Sequence, residues 1–398
     1  CRLKEYKTEN CTHSLPKELL QIFFNEMTLL LDMFSRFEGY QSFSINDKET
    51  FIYSQIRHWY NFIINNNIKG YLQFDTPHDL YDYIIYTIMK FLNLKVIILQ
   101  QSSFYYIGED DKIIFNRILT PSNDLLTGRI VEHDFSELFN KYYKYRELSN
   151  AYNLSNKMSA FTERPNITFS NKPNNYLSKL KNLISNKELK YNYVFSHLEN
   201  INQNLNIFNF INIRKKIHNK TDNLIDYMKE VSITLDKLKH PFFYFPLQYQ
   251  PERTSCPEGR SYSNQFLVLS LFREFLDDNI FIIVKEHPKQ FMKGTVRNQM
   301  HRSIFFYNSI SQLKNVKFVD YNISSKDILS HSKIEGVGTI KGNIILEAAI
   351  NDIPAFYFGN TIWKNLDNTY DCKDQKILQK INKLLKSNNE QLDKLSFE

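Results

Sequence analysis

Glycine and cysteine are both scarce in this chain, at 10 and 4 copies in 398 residues. So little glycine argues against collagen-like sequence and against a large all-β architecture built on tight turns. The cysteines, Cys1, Cys11, Cys256 and Cys372, form no CxxC pair and no metal-ligand spacing, so they read as reduced thiols of a cytosolic protein. Cys256 lies in a polar loop without a neighbouring His, and reads as small filler rather than a nucleophile. No apolar run approaches the ~20 residues that span a bilayer, and no signal peptide is expected. The chain does not begin with Met, which leaves its natural start open. Self-similarity at solenoid periods is also missing.

What is present suits a globular protein. Hydrophobic residues make up 42% and aromatics 15%, enough to bury sizeable cores. The length predicts two domains of about 150–200 residues each. The formal charge of +7 comes from lysines scattered among Asn and Ile, as in Asn174–Lys190, Asn212–Lys220 and Lys376–Asn389. A nucleic-acid stripe gathers its cations on one face with aromatics between them, so no nucleic-acid partner is expected. A weak attraction to anionic head groups or acidic glycans is compatible with this surface.

Along the chain, apolar spacing predicts a helix over 16–35, a strand at Tyr71–Phe74, a helix over Asp79–Leu92 and a strand at Val96–Leu99. Segments 120–135 and 150–177 read as loops, and 178–187 and 194–238 as helical. A boundary near Lys239-His240 divides an N-terminal domain, 1–238, from a C-terminal one, 239–398. In the second half, strands at 242–247, 280–284, 316–319, 334–340 and 354–358 alternate with helices at 264–277, 297–313, 325–331 and 343–350. Residues 374–397 read as a polar amphipathic helix. Strict alternation with short connections predicts an α/β fold with a doubly wound parallel sheet.

Four constellations carry candidate chemistry. A buried strand ends in Lys285-Glu286-His287-Pro288, where a cation and an imidazole suit a phosphate leaving group. The aromatic run FFYFP breaks into a loop holding Gln248, Gln250, Glu252 and Arg253, with Glu258, Gly259 and Gln265 beyond. Amides, a carboxylate and a guanidinium in one loop can read hydroxyl-rich or charged sugars, and Glu252 acts as a base or orients Arg253. At Thr339-Ile340-Lys341-Gly342-Asn343, a strand turns into a helix whose amides could hold a phosphate, with Glu347 one turn in for ribose hydroxyls. An ordinary capped helix explains the same residues. Finally Asp75, His78 and Asp79 end a first-half strand and are candidates for acceptor activation, with Glu132-His133-Asp134 as the rival cluster. Asp79 and Thr76 also suit helix caps. Tyr81, Tyr83 and Tyr86 read as core.

The line FYFPLQYQPERTSCPEG, followed by VKEHP, NVKFVD and TIKGNIILEAAINDIPAFYFGNTIW, resembles the bacterial capsule polysaccharide biosynthesis family. That family is similar to Kdo transferases and to sialyltransferases with a His-Pro motif. The resemblance covers roughly 240–365, with only Pro77-His78-Asp79 and the helix after it in the first half. It implies a GT-B arrangement of two Rossmann-like domains with parallel sheets facing a cleft. It implies transfer of a sugar from a nucleotide donor, CMP-linked Kdo or another acidic sugar first, onto a capsular or other surface glycan. By the resemblance His287 would contact the donor phosphate, Gly342 and Asn343 the phosphate or base, and Glu347 the ribose. The residue chemistry above adds Gln250, Arg253, Lys285 and Thr339 as donor contacts and gives catalysis to His78, Asp79, Glu252 and His287. No metal or other cofactor is implied, and no Asp-x-Asp dyad stands near a strand end. Partners would be the donor, a glycan or glycolipid acceptor, and peripherally the inner membrane or the capsule export machinery. Relatives often carry His-Gly or Thr-Gly where this chain has Ile340-Lys341-Gly342, so Lys341 either adds charge toward a phosphate or faces solvent. Two other readings stay open: a nucleotide-sugar 2-epimerase, and a non-catalytic glycan-binding component of capsule assembly.

Overall fold

The computed structural model describes residues 12–36, 43–73, 75–101, 115–119, 207–292, 301–361 and 363–386. The loop readings at 120–135 and 150–177, the helix reading at 178–187, the Glu132-His133-Asp134 cluster, Cys1 and Cys11 lie outside these residues. The chain divides into two compact units that interleave in sequence. One comprises Cys1–Leu15, Ser54–Pro77 and Ile84–Asn206, the other Pro16–Tyr53, His78–Tyr83 and Ile207–Glu398.

The expected single helix over 16–35 is two helices, α1 (Lys17–Asn25) and α2 (Met27–Ser35), broken at Glu26. Both present apolar faces, with Leu19, Phe23, Leu30, Met33 and Phe34 fully buried. A long helix, α3 (Ile45–Asn65), follows. In the first unit, β1 (Gly70–Gln73) pairs in parallel with β2 (Lys95–Gln101). The helix between these strands is α4 (Leu80–Phe91). β3 (Phe115–Leu119) adds to β2 antiparallel, so this three-stranded sheet is mixed.

The second unit holds a seven-stranded sheet. Helix α5 (Ile207–Val231) leads into the short edge strand β4 (Ser232–Ile233). Then follow β5 (Phe242–Pro246), α6 (Gln265–Phe275), β6 (Phe281–Lys285), α7 (Ile304–Ser311), β7 (Val316–Val319), α8 (Ser325–Leu329), β8 (Ile334–Thr339), α9 (Ile344–Ile350), β9 (Ala355–Tyr357), β10 (Thr369–Asp371) and α10 (Gln375–Gln379). The strand order is β10-β9-β8-β5-β6-β7-β4, with every pairing parallel. This is the Rossmann-like α/β arrangement expected from the alternation. The runs FFYFP and FIIVK are apolar on both faces because helices cover both sides of the sheet.

Local chemistry explains the elements. α6 starts where the Asn264 carboxamide accepts the Leu267 N–H at 3.1 Å, and it buries Val268, Leu269 and Phe272 against the sheet. α7 and α8 are capped in the same way by Ser303 and Ser324. Gly338 in β8 has to lack a side chain: a Cβ there would stand 2.4 Å from the Phe243 ring and 2.7 Å from Phe272. The chain leaves β5 toward β6 and β7, then returns to its other side as β8. That reversal puts a topological switch point between β5 and β8, and open α/β sheets bind ligands outside the carboxyl ends there.

Candidate functional site

The loop after β5 is held open by borrowed amides. The Leu247 N–H extends the ladder to the Lys285 carbonyl at 2.8 Å. Beyond it, Gln265 clamps the Gln248 backbone, accepting its N–H at 2.7 Å and donating to its carbonyl at 3.0 Å. Gln290 does the same for Gln250, at 2.9 and 3.2 Å. Each side-chain amide substitutes for a neighbouring strand's peptide group. The Gln250 side chain itself turns inward and donates to the Ser255 hydroxyl.

Glu258, 5% exposed, ties this loop to the turn after β8. One carboxylate oxygen meets Lys341 Nζ at 2.5 Å and the other lies 3.5 Å from Arg253 Nε. Lys341 therefore neither faces solvent nor offers an uncompensated charge. Thr339, buried in the same turn, accepts the Gly342 N–H at 3.1 Å, and a Cβ on Gly342 would meet that hydroxyl at 3.0 Å. Thr339 thus shapes the turn, and Asn343 is exposed at the start of α9 without a side-chain cap.

The end of β6 is more heavily built. Glu286 is fully buried and accepts from Arg302 Nε at 2.6 Å, the Tyr307 hydroxyl at 2.8 Å and the His287 N–H at 2.7 Å. Arg302 also donates to the Gln248 carbonyl at 3.0 Å, which joins this network to the first loop. His287 caps the following turn: its Nδ1 accepts the Lys289 N–H at 3.1 Å. That bond leaves the proton of a neutral imidazole on Nε2. Burial, then the charges of Lys289, Lys285 and Arg302, push the His287 pKa down to about 4, so the ring is neutral at pH 7. The Tyr249 ring lies beside it, 5.8 Å between centroids.

Lys285 donates to the Ile323 carbonyl at 2.9 Å. Burial lowers its pKa, opposed by the charges of Glu347 and Asp327. Burial likewise raises the Glu347 carboxyl, opposed by Lys285. These two groups therefore sense each other from opposite sides of β5, one at the end of β6 and one in α9. Burial also raises Glu252, opposed by the Thr254 hydroxyl, Arg253 and Lys289. Lys285 thus lies within electrostatic reach of both His287 and Glu347, and Lys289 within reach of His287 and Glu252, while the turn holding Gly342 and Asn343 is tied to the β5 loop through the Lys341–Glu258 pair. A neutral Nε2–H and the Lys285 ammonium suit an oxyanion, while carboxyls raised by burial suit hydroxyls and proton transfer.

His78 and Asp79 belong to the same unit as this mouth. The guanidinium of Arg36 donates to the carbonyls of His78, Glu252 and Cys256 and so ties their segment to the β5 loop. Three residues after Asp79 stands Asp82, 3% exposed, its pKa raised to about 8 by burial and then by Asp79. The spacing of three along a helix could have marked Asp82 as a partner of Asp79. Arg36, Arg302 and the role of Glu258 left no comparable sign, since their partners are remote in sequence. Asp75, in the other unit, accepts the Thr76 N–H at 2.8 Å. Cys256 is 1% exposed and burial holds its thiol well above the usual range, as unsuited to a nucleophile as the sequence reading holds.

Among the described residues no helix is long and apolar enough to cross a membrane. No protein-family model matches the chain, and no curated protein does. Among solved structures it is similar to Thermosulfurimonas dismutans KpsC, beta Kdo 2,7 transferase, at 18% identity and a TM-score of 0.25, over 39% of this chain and 46% of that one. The alignment spans less than half the length of that protein.

Proposed function

We propose that this protein is a glycosyltransferase of GT-B type that moves a sugar from a nucleotide donor onto a bacterial surface glycan. The observation that supports the reading is the position of Lys285 and His287 at the end of β6, beside the clamped Gln248–Gln250 loop, with Glu347 within electrostatic reach of Lys285. The motif resemblance favours a CMP-linked acidic sugar such as Kdo as donor, with a capsular glycan or glycolipid as acceptor at the cytoplasmic face of the membrane.

In this reading an acceptor hydroxyl attacks the anomeric carbon, the bond from that carbon to the phosphate oxygen breaks, and the nucleotide leaves with the electron pair. Lys285 and the His287 Nε2–H stabilise the charge gathering on the phosphate. Glu347 accepts hydrogen bonds from the ribose hydroxyls. The acceptor proton passes to a carboxylate, either Glu252 or the Asp79–His78 pair. The residues need no metal for these roles.

The test is thermal unfolding with CMP, UDP and GDP in separate titrations. A nucleotide at 100 times its dissociation constant adds about 2.7 kcal/mol of stability. CMP is expected to raise Tm most, and His287→Ala and Glu347→Gln to weaken that effect at least tenfold, about 1.4 kcal/mol. Absence of stabilisation by any nucleotide, or full stabilisation in both variants, sinks the assignment.

A further inference from the structure

We propose that Arg36 is a positioning residue that locks the Gln250–Glu258 loop and the His78–Asp79 turn into one register. Its role in turnover rests on the functional reading above, whereas its role as a lock rests on geometry alone.

Arg36 follows the last turn of α2 and is 6% exposed. One terminal nitrogen donates to the His78 carbonyl, and the other donates to the carbonyls of Glu252, at 3.3 Å, and Cys256. The acceptors are 42, 216 and 220 residues away in sequence. A guanidinium is a rigid planar fork, so two carbonyl groups from one loop and one from another segment can satisfy it only in a fixed relative placement.

Stability alone is a poor reason for this arrangement. Removing a cation from water is costly, and backbone carbonyls only partly compensate it. Nε of Arg36 is buried with no partner among the described residues. Asp32, one turn earlier in α2, raises the Cys256 thiol pKa, and Arg36 opposes it. What the fork supplies that an apolar residue cannot is register between two backbone segments. One of those segments carries Glu252, and the other carries His78 and Asp79. Donor-side and acceptor-side candidates would then move as one body, which matters because a misplacement of about 1 Å at a reacting group can cost about a hundredfold in rate.

Arg36→Met and Arg36→Lys in the full chain test this. Hydrogen–deuterium exchange at amides 78–82 and 252–256 is expected to speed up in both segments together, by about fivefold or more, while amides of β6 and β7 stay protected. Lysine keeps the charge but offers one nitrogen, so it is expected to fail as methionine does. Wild-type protection in either segment, or full restoration by lysine, overturns the proposal. If Arg36→Met does not fold, Arg36→Lys against wild type decides by the same criterion. In turnover, CMP affinity is expected to stay within about threefold while kcat falls at least tenfold. Equal losses in both mean a merely structural residue. If wild type binds no nucleotide yet both segments loosen together, the lock stands and the glycosyltransferase reading falls.

Discussion

The two ends of the seven-stranded sheet handle charge in opposite ways. At the amino ends, Lys314 pairs with Asp278 at 2.6 Å, but both side chains are about two-thirds exposed, at 66% and 71%. At the carboxyl ends, Arg302 and Glu286 also meet at 2.6 Å, yet are 3% and 0% exposed. Equal distances here mean unequal energies, because water screens the first pair and has been removed from the second. Even single arginines differ. Arg273 donates to the Ile280, Leu276 and Asp277 carbonyls, all within seven residues, and simply closes the end of α6. Arg36 makes the same kind of bonds to remote segments. Burying charge is costly, and among the described residues Glu258, Lys285, Glu286 and Arg302 are buried at the carboxyl ends, the side on which open α/β sheets bind ligands.

Substitutions can break or sharpen that contrast. The largest effect is expected from Arg302→Ala, which leaves Glu286 buried beside Tyr307 and costs about 3–5 kcal/mol in denaturant unfolding. A loss under about 1 kcal/mol would put this pair in the same class as the exposed ones.

Next comes the pH dependence of His287. Its folded pKa of about 4 lies below the ordinary 6.5. Between these values the unfolded chain binds more protons, so this stabilising contribution is intact above pH 6.5 and is lost as pH falls toward 4. Its full size is on the order of 3 kcal/mol. Asp82, raised from 3.8 to about 8, works the other way and loses its contribution progressively as pH rises between those values. Stability curves of wild type and His287→Gln must therefore be subtracted. The difference should shrink on acidification, and a flat difference contradicts a desolvated imidazole.

A smaller loss, about 2 kcal/mol, is expected for Glu258→Gln, which strips the half-buried Lys341 and Arg253 of their shared counter-charge. The double variant with Lys341→Met should recover part of it. Lys314→Ala at the other end should change stability by less than about 1 kcal/mol, and less still in high salt.

Legibility followed locality. Lys285, His287 and the Gln-Pro-Glu loop stand out because an apolar run that stops abruptly at ionisable residues needs no partner to be noticed. The alternation of strands and helices was equally plain, so the parallel sheet could be read directly. β4 and β10 have two and three residues, too few to show a period. The break at Glu26 hides because Glu is a good helix former and the apolar spacing runs on through it. Pairings such as Lys341 with Glu258, 83 residues apart, or Arg36 with the Cys256 carbonyl arise only once the chain has folded back on itself. Lys341 shows the result. Its charge is evident in sequence, but its fate depends on a carboxylate from another loop.

The paired clamps of Gln265 and Gln290 have one more consequence. A recognition loop that is ordered only on contact must surrender its conformational freedom at that moment, which weakens association. Here the path of residues 248–250 is imposed by side chains anchored elsewhere, in α6 and in the turn after His287. The entropy of arranging that stretch was already lost when the chain folded, so any small molecule that bound there would not have to order it.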